Sequence, residues 1–380
     1  MTARPDSPEI ADAAGSWRSA YVHIPFCSRR CPYCDFAVVT PVETELPHRD
    51  YVQAVITEIG MSPPWEPLDA VSVGGGTPSV VDPALLGDVL AALDARFGLV
   101  PGAEIGLEAN PEDWQPRRAE ALREAGFRRV SFGAQSFDPI VLDALGRNHE
   151  PADIDQAVAT ARACGFESVN LDLIFGTPGE SVASWSATLD RALSLEPDHL
   201  STYALTVERG TELSRSVLDG SPAPDPDDQA DKYELAQEAI GRAGLVQYEV
   251  SNHARPGHHV RYNLGTWAGG EYVGVGLGAH GHRSGVRTRN IRRLDRYMEA
   301  VGRGELPHAG VEPVADPARE AVFLGLRRMA GVQVTPVVAA FLESPEGERF
   351  VEAGVVDVNG SRLRITRPLL ADAVMREFVG

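Results

Sequence analysis

Lysine is almost missing from this chain. Of 380 residues one is lysine, Lys232, and the other 34 basic residues are arginine. No GK[ST] phosphate loop can be written, and a lysine Schiff base could be built only on Lys232. P-loop NTPases and most pyridoxal enzymes are therefore excluded. Positive charge is scarce as well. Thirty-five basic against 54 acidic residues leave a net charge of −19, the opposite of the basic face that grips a phosphate backbone, so no nucleic-acid partner is expected. No run approaches the ~20 apolar residues of a membrane span. Residues 1–17 are polar and acidic, without the roughly 7–15 apolar residues of a secretory signal. They read as a disordered N-terminus on a soluble, cytoplasmic protein. Four cysteines in this length are no disulfide framework.

What is present is better organised. Short apolar runs at 20–24, 69–76, 104–110, 129–135, 168–176 and 199–206 alternate with helical patterns, as in 152–164 and 182–194. Six strands each followed by a helix mean an α/β protein with a parallel sheet, curled into a barrel or wound open. A Pro/Asp-rich break at 220–229 precedes a further helix to about 244. Residues 247–285, rich in glycine and histidine, read as strands and loops. From about 316 a helix, a second helix, a hairpin (355–366) and a last helix suggest a small separate C-terminal domain.

Three of the four cysteines, Cys27, Cys31 and Cys34, lie within eight residues directly after the first strand. Thiolates are the preferred ligands of iron–sulfur clusters. Three of them on a [4Fe–4S] cubane leave one iron open for a small molecule. Structural zinc takes four ligands, and Phe36 stands where a fourth cysteine could sit. A zinc site completed by a distant histidine is the competing reading.

The triplet CSRRCPYC, with Tyr33 before the third cysteine, resembles the signature of radical S-adenosylmethionine (SAM) proteins. The segments YVHIPFCSRRCPYCDF, GGGTPS, EANPE, GAQSFD, LGRNH, NLDLIFGTPGE, STYALTVERGTEL and YEVSNHARPG extend the resemblance to the oxygen-independent coproporphyrinogen oxidase group. Within it they are most similar to the heme-handling HemW branch, because the dehydrogenase carries a cysteine at the place of Phe36. The resemblance implies a radical SAM partial (β/α)6 barrel at 18–245, a mixed α+β extension at 246–312, and a small helical, winged-helix-like domain at 313–380. It implies a [4Fe–4S] cluster, SAM and heme as cofactors. It also implies a heme-acceptor protein as partner, at the membrane surface, and a chaperone rather than a dehydrogenase.

Functional residues of such barrels gather at the C-terminal ends of the strands. Gly74, Gly75 and Gly76 after the second strand offer a backbone edge that a ligand can approach, followed by Thr77. A tight strand-to-helix turn would need glycine too. Asp172 shares its strand face with Asn170 and Ile174 by the two-residue period. An inward carboxylate is costly unless used or paired. It is either a ligand contact or half of a structural ion pair. By resemblance Gly75, Gly76, Thr77, Glu108, Gln135, Arg147 and Asp172 contact SAM, and Tyr21 and Tyr33 line the cluster and adenine side. Cys164, in a helical pattern, reads as a small packed residue.

Five of the ten histidines fall between 253 and 282, and neutral imidazole ligates heme iron. The family's heme-linked motif H-N-x-x-Y-W departs here: Tyr262 and Thr266 replace its histidine and tyrosine, while Asn263 and Trp267 persist. His253, His258, His259 and Tyr262 are the candidate ligands. The rival readings are a porphyrinogen decarboxylase, an RNA-modifying radical SAM enzyme, and a binding module without SAM turnover.

Overall fold

The computed structural model describes residues 13–379. Strands β1 (Arg18–Ile24), β2 (Leu68–Gly75), β3 (Leu99–Ala109), β4 (Arg129–Gln135), β5 (Ser168–Phe175) and β6 (His199–Ala204) lie side by side in chain order, all parallel. Consecutive neighbours without a reversal of order are the topology of a barrel rather than of a doubly wound sheet. Helices at Pro83, Pro139, Pro226 and Pro317 each open on an Asp whose carboxylate accepts a first-turn N–H. Proline at the first helical position gives up an amide that has no partner there anyway.

The extension joins both edges of this sheet. β7 (Val246–Glu249) and β8 (Asn252–Ala254) add antiparallel beyond β6, whereas β9 (Glu271–Gly276) runs parallel to β1. β10 (His280–Arg283), β11 (Val286–Asn290) and β12 (His308–Pro313) continue outward from β9. Among the described residues the sheet has twelve strands, and its two edges, β12 and β7, do not pair. The barrel stays open.

Three details differ from the sequence reading. β3 begins at Leu99, five residues before 104, because Leu68 pairs with Leu99 while Ala70 already pairs with Glu104. The extra residues, including Pro101, which has no ladder N–H, are accommodated as a bulge. Residues 261–267 form a helix within the stretch read as strands and loops. In the C-terminal part the second helix is two, Pro336–Leu342 and Pro345–Glu352, because Ser344 caps a new start at Pro345.

One apolar core lies between the sheet and its helices, with Val22, Val73, Phe132, Leu171 and Trp185 buried. A second core, around Leu326, Val338, Leu363 and Val374, belongs to the C-terminal part. That part meets the extension where Met329 N–H donates to Tyr248 O (3.0 Å) and Arg327 lies over the Trp267 ring at 4.5 Å.

Candidate functional site

The cysteine loop is clamped at its base. Cys27 N–H donates to Val39 O (3.0 Å) and Val39 N–H to Pro25 O (2.8 Å). The loop after β2 locks onto it through Gly76 N–H to Ile24 O and Thr77 N–H to Phe26 O, both 2.8 Å. A Cβ on Gly76 would meet the 24–26 backbone within 3 Å, and one on Gly74 would strike the Glu108 carboxylate. Gly75 holds φ +107°, where a Cβ would run into the His23 ring. Close backbone packing at Gly76 and the positive φ of Gly75 therefore demand glycine there, while at Gly74 the Glu108 carboxylate would have to move aside.

Cys27, Cys31 and Cys34 are free and half-buried. Thr77 Oγ1 lies 3.6 Å from Cys27 Sγ and accepts from Asn110 Nδ2 at 3.2 Å. Asn110 Oδ1 accepts from Arg147 Nη2 at 2.6 Å, and Arg147 Nη1 reaches Cys31 Sγ at 3.5 Å. Two of the three thiols are thus linked through three side chains from three different loops. Burial pushes the Cys27 thiol up to about 11 against the Thr77 hydroxyl. Burial opposes the Arg147 charge, but Tyr33, Cys31 and Glu112 raise its pKa, so it stays a guanidinium. Gly146, just before Arg147, packs on Pro32 of the cysteine loop, and His149 Nε2 lies 2.9 Å from Ala134 O. The LGRNH segment is a strut against that loop.

Glu108 and Asp172 are enclosed by protein yet remain open to solvent, as side chains lining a cavity do. Glu108 Oε2 accepts the Gly75 N–H at 3.0 Å. Burial raises Glu108 to about 7 against that bond, and the Asp172 carboxylate adds to the rise. Asp172 Oδ2 accepts from Ser131 Oγ (2.5 Å) and Oδ1 from Asn170 Nδ2 (2.8 Å). Its direct partners are neutral, so the ion-pair reading is not what the structure contains. Burial raises its pKa too, held back by those hydrogen bonds. Gln135, at the end of β4, adopts φ +62° and brings Nε2 beside Gly133, next to Arg147. A non-glycine residue in that region is strained and is held only by its surroundings.

Tyr21 stacks on Tyr262 with ring centres 5.8 Å apart, and both feel Glu108. Tyr33 packs by Ile174 and Leu205 on the Arg147 side. Two side chains escaped the sequence reading. Asn110 follows Glu108 by two residues, and Tyr203 follows Ser201 by two, so the strand period could have placed both. Tyr203 is 40% exposed although protein surrounds it, which makes it another lining group.

The candidate heme residues do not converge. Thr266 Oγ1 donates to Tyr262 O (2.8 Å), and Trp267 lies under Arg327. Tyr262 and His280 line a 290 Å³ pocket with Phe36, which is 57% exposed. His253 is buried, and neither ring nitrogen has a partner among the described residues. His258 and His259 face a different cavity, at the other end of the barrel. Cys164 Sγ lies 3.9 Å from Pro116 O, away from the other cysteines.

Among the described residues no three His, Cys, Asp or Glu side chains gather around a single-ion position. A cubane spreads its thiolates over separate irons, and an all-sulfur donor set beside a guanidinium suits an anionic thiolate-bound cluster. Two solvent-reachable carboxylates with neutral partners suit a ligand that brings an ammonium and hydroxyls.

A partial barrel of this order, with its cysteine loop at the C-terminal end of β1, defines a radical SAM protein. The family model "Radical SAM superfamily" matches residues 21–192. The chain is 41% identical to the heme chaperone HemW of Mycobacterium tuberculosis, over 98% of this chain and 97% of that one. It is 32% identical to HemW of Bacillus subtilis, over 96% and 99%. The solved structure of coproporphyrinogen III oxidase (HemN) from Escherichia coli aligns with a TM-score of 0.80 at 22% identity, covering 98% of this chain and 93% of that one. The chain belongs to the HemW family of the radical SAM superfamily.

Proposed function

We propose that this protein binds one [4Fe–4S] cluster through Cys27, Cys31 and Cys34, binds SAM beside it, and carries heme to an acceptor protein. When bound, the cluster and SAM together supply one-electron reduction and a 5′-deoxyadenosyl radical. The observation that carries the cofactor reading is the side-chain chain from Cys27 through Thr77, Asn110 and Arg147 to Cys31. It makes the position of two thiols depend on groups from three loops, two of them directly after β2 and β3 and one after the Pro139–Ala144 helix. Glu108 offers a carboxylate for the SAM amine, while Gly75 N–H orients it. Asp172, steadied by Ser131 and Asn170, offers acceptors for ribose hydroxyls.

The heme reading is supported by the family, whose relatives are named heme chaperones, whereas the segment at 262–267 keeps only Asn263 and Trp267 of the family's heme-linked motif. Phe36 supports it against a porphyrinogen decarboxylase, because that position has no thiol here. The test is anaerobic reconstitution of the full chain, followed by iron and sulfide analysis, SAM equilibrium dialysis, hemin titration and 5′-deoxyadenosine assay. Saturable hemin binding, with heme passing to an apo-cytochrome and little 5′-deoxyadenosine, supports the carrier. Turnover of coproporphyrinogen without heme retention overturns it in favour of the oxidase. Among the described residues no helix is long and apolar enough to cross a membrane. We place the carrier in the cytoplasm, meeting its acceptor at the membrane surface.

A further inference from the structure

The end of the barrel opposite the cysteine loop holds a cavity of about 740 Å³, within the roughly 300–1,000 Å³ typical of cofactor sites. One wall is the bulged start of β3, where Leu99, Val100, Ala103 and Ile105 present apolar surface. Facing it is the turn that carries His258 and His259, with Arg128 and Arg261 among the lining residues. Arg129 holds this turn by its main chain, donating from Nη2 to His258 O (2.5 Å) and His259 O (3.3 Å). The His259 ring stacks on Trp17 at 6.0 Å, and its Nδ1 is buried without a partner among the described residues. Burial lowers His259 to about 4 and also lowers His258, so both lone pairs are available at neutral pH. Tyr262, three residues on, stacks on Tyr21 near Glu108 instead. The two sets of candidate heme ligands therefore serve different ends of the barrel.

We propose that this cavity takes an iron porphyrin, with one imidazole of the His258–His259 pair as axial ligand. The β3 wall covers the apolar ring, and Arg261 provides positive charge for its carboxylates, joined by Arg128 when a porphyrin carboxylate displaces Glu167, its partner at 2.8 Å in the cavity lining. Adjacent residues cannot take the two opposite axial positions of one iron. One site on the metal is left for a ligand from an acceptor. The inference rests on the heme reading above, and it places the heme away from the cysteine loop.

Hemin is titrated into the reconstituted full chain as wild type, His258→Ala/His259→Ala, Ala103→Trp and Tyr262→Phe, with thermal melts as the folding control. The double variant is expected to lose affinity tenfold or more, together with the imidazole signature in its ferric spectrum. Ala103→Trp keeps both imidazoles but pushes an indole from the β3 wall into the space the ring would occupy, and is expected to lose affinity similarly. Tyr262→Phe is expected to stay within twofold of wild type. Wild-type affinity in both the double variant and Ala103→Trp, or loss confined to Tyr262→Phe, overturns this site but leaves the heme reading standing. Absence of saturable binding in wild type overturns the heme reading itself.

Discussion

Arg147 points its guanidinium at the sulfur of Cys31, 3.5 Å away, although 116 residues separate them in the chain. The other guanidinium nitrogen is held by Asn110 and by the Gly133 carbonyl. Its direction is fixed by β3 and β4, not by its own turn. This couples the cysteine loop to the middle of the barrel.

Asn110→Leu is expected to weaken the cysteine loop without unfolding the barrel. It removes one neutral bond to Thr77, worth about 1 kcal/mol, and one charge-assisted bond to Arg147, worth about 1.5–3 kcal/mol. Loss of the ~400 nm absorption of reconstituted protein under chelator should then run several-fold faster than in wild type. Thr77→Val, which breaks only the neutral links, should fall between. Equal bleaching rates in all three proteins would reduce the network to ordinary packing.

Cys31→Ala should abolish the broad ~400 nm absorption and most of the bound iron, whereas Cys164→Ala should retain both. Cys164 is half-buried at the end of the Pro151–Ala163 helix, packed against the apolar core with the Pro116 carbonyl 3.9 Å from its sulfur. Iron analysis that shows equal loss in both would overturn the ligand assignment.

Asp172→Asn should keep the cluster and weaken SAM affinity. The amide nitrogen would face the Ser131 hydroxyl or the Asn170 amide, both of which now donate to the carboxylate. The loss of a charge-assisted acceptor is expected to cost roughly 1.5–3 kcal/mol, read by equilibrium dialysis. Unchanged SAM affinity with a lower melting temperature would assign Asp172 to the scaffold alone.

Glu108 makes the ligand-free protein pH-sensitive, and the sign is fixed. Burial raises its folded-state value from 4.5 to about 7, so the folded protein holds this proton more tightly than the unfolded chain. The resulting penalty is absent below pH 4.5, grows between 4.5 and 7, and is complete above 7. It amounts to at most about 3 kcal/mol, less where solvent enters the cavity. Glu108→Gln, which can still accept the Gly75 N–H, should therefore be more stable than wild type by about 1–3 kcal/mol at pH 8. Near pH 4.5 the two should be equal. Urea denaturation at the two pH values decides it, and a difference that does not change with pH would show that Glu108 is not the titrating group.

Much of this was legible in the chain. The six strands fall where the apolar runs are, because a strand buried on both faces needs an almost unbroken hydrophobic stretch. The cysteine triplet was legible for a similar reason, since its three donors come from one short loop. Asp172 sharing a face with Asn170 followed from the two-residue period, and the hydrogen bond between them bears it out. Asn110 and Tyr203 obey the same period but carry no unusual chemistry on their own.

Local sequence determined most of the elements and the loop that carries the thiols, because period, turn residues and donor spacing act within a few residues. Only the tertiary structure decided which side chains meet. Gly75 and Gly76, at the end of β2, turned out to be required by His23 and the β1 loop, neither of which is local to them. The five clustered histidines were separated: His253 into the interior, His280 toward Phe36, His282 beside Tyr272, and His258 with His259 to the far end of the barrel. Closeness in sequence does not set direction, because each turn of the chain sends neighbours to different faces. Pairing across the sheet, between strands more than a hundred residues apart, settles where those faces point.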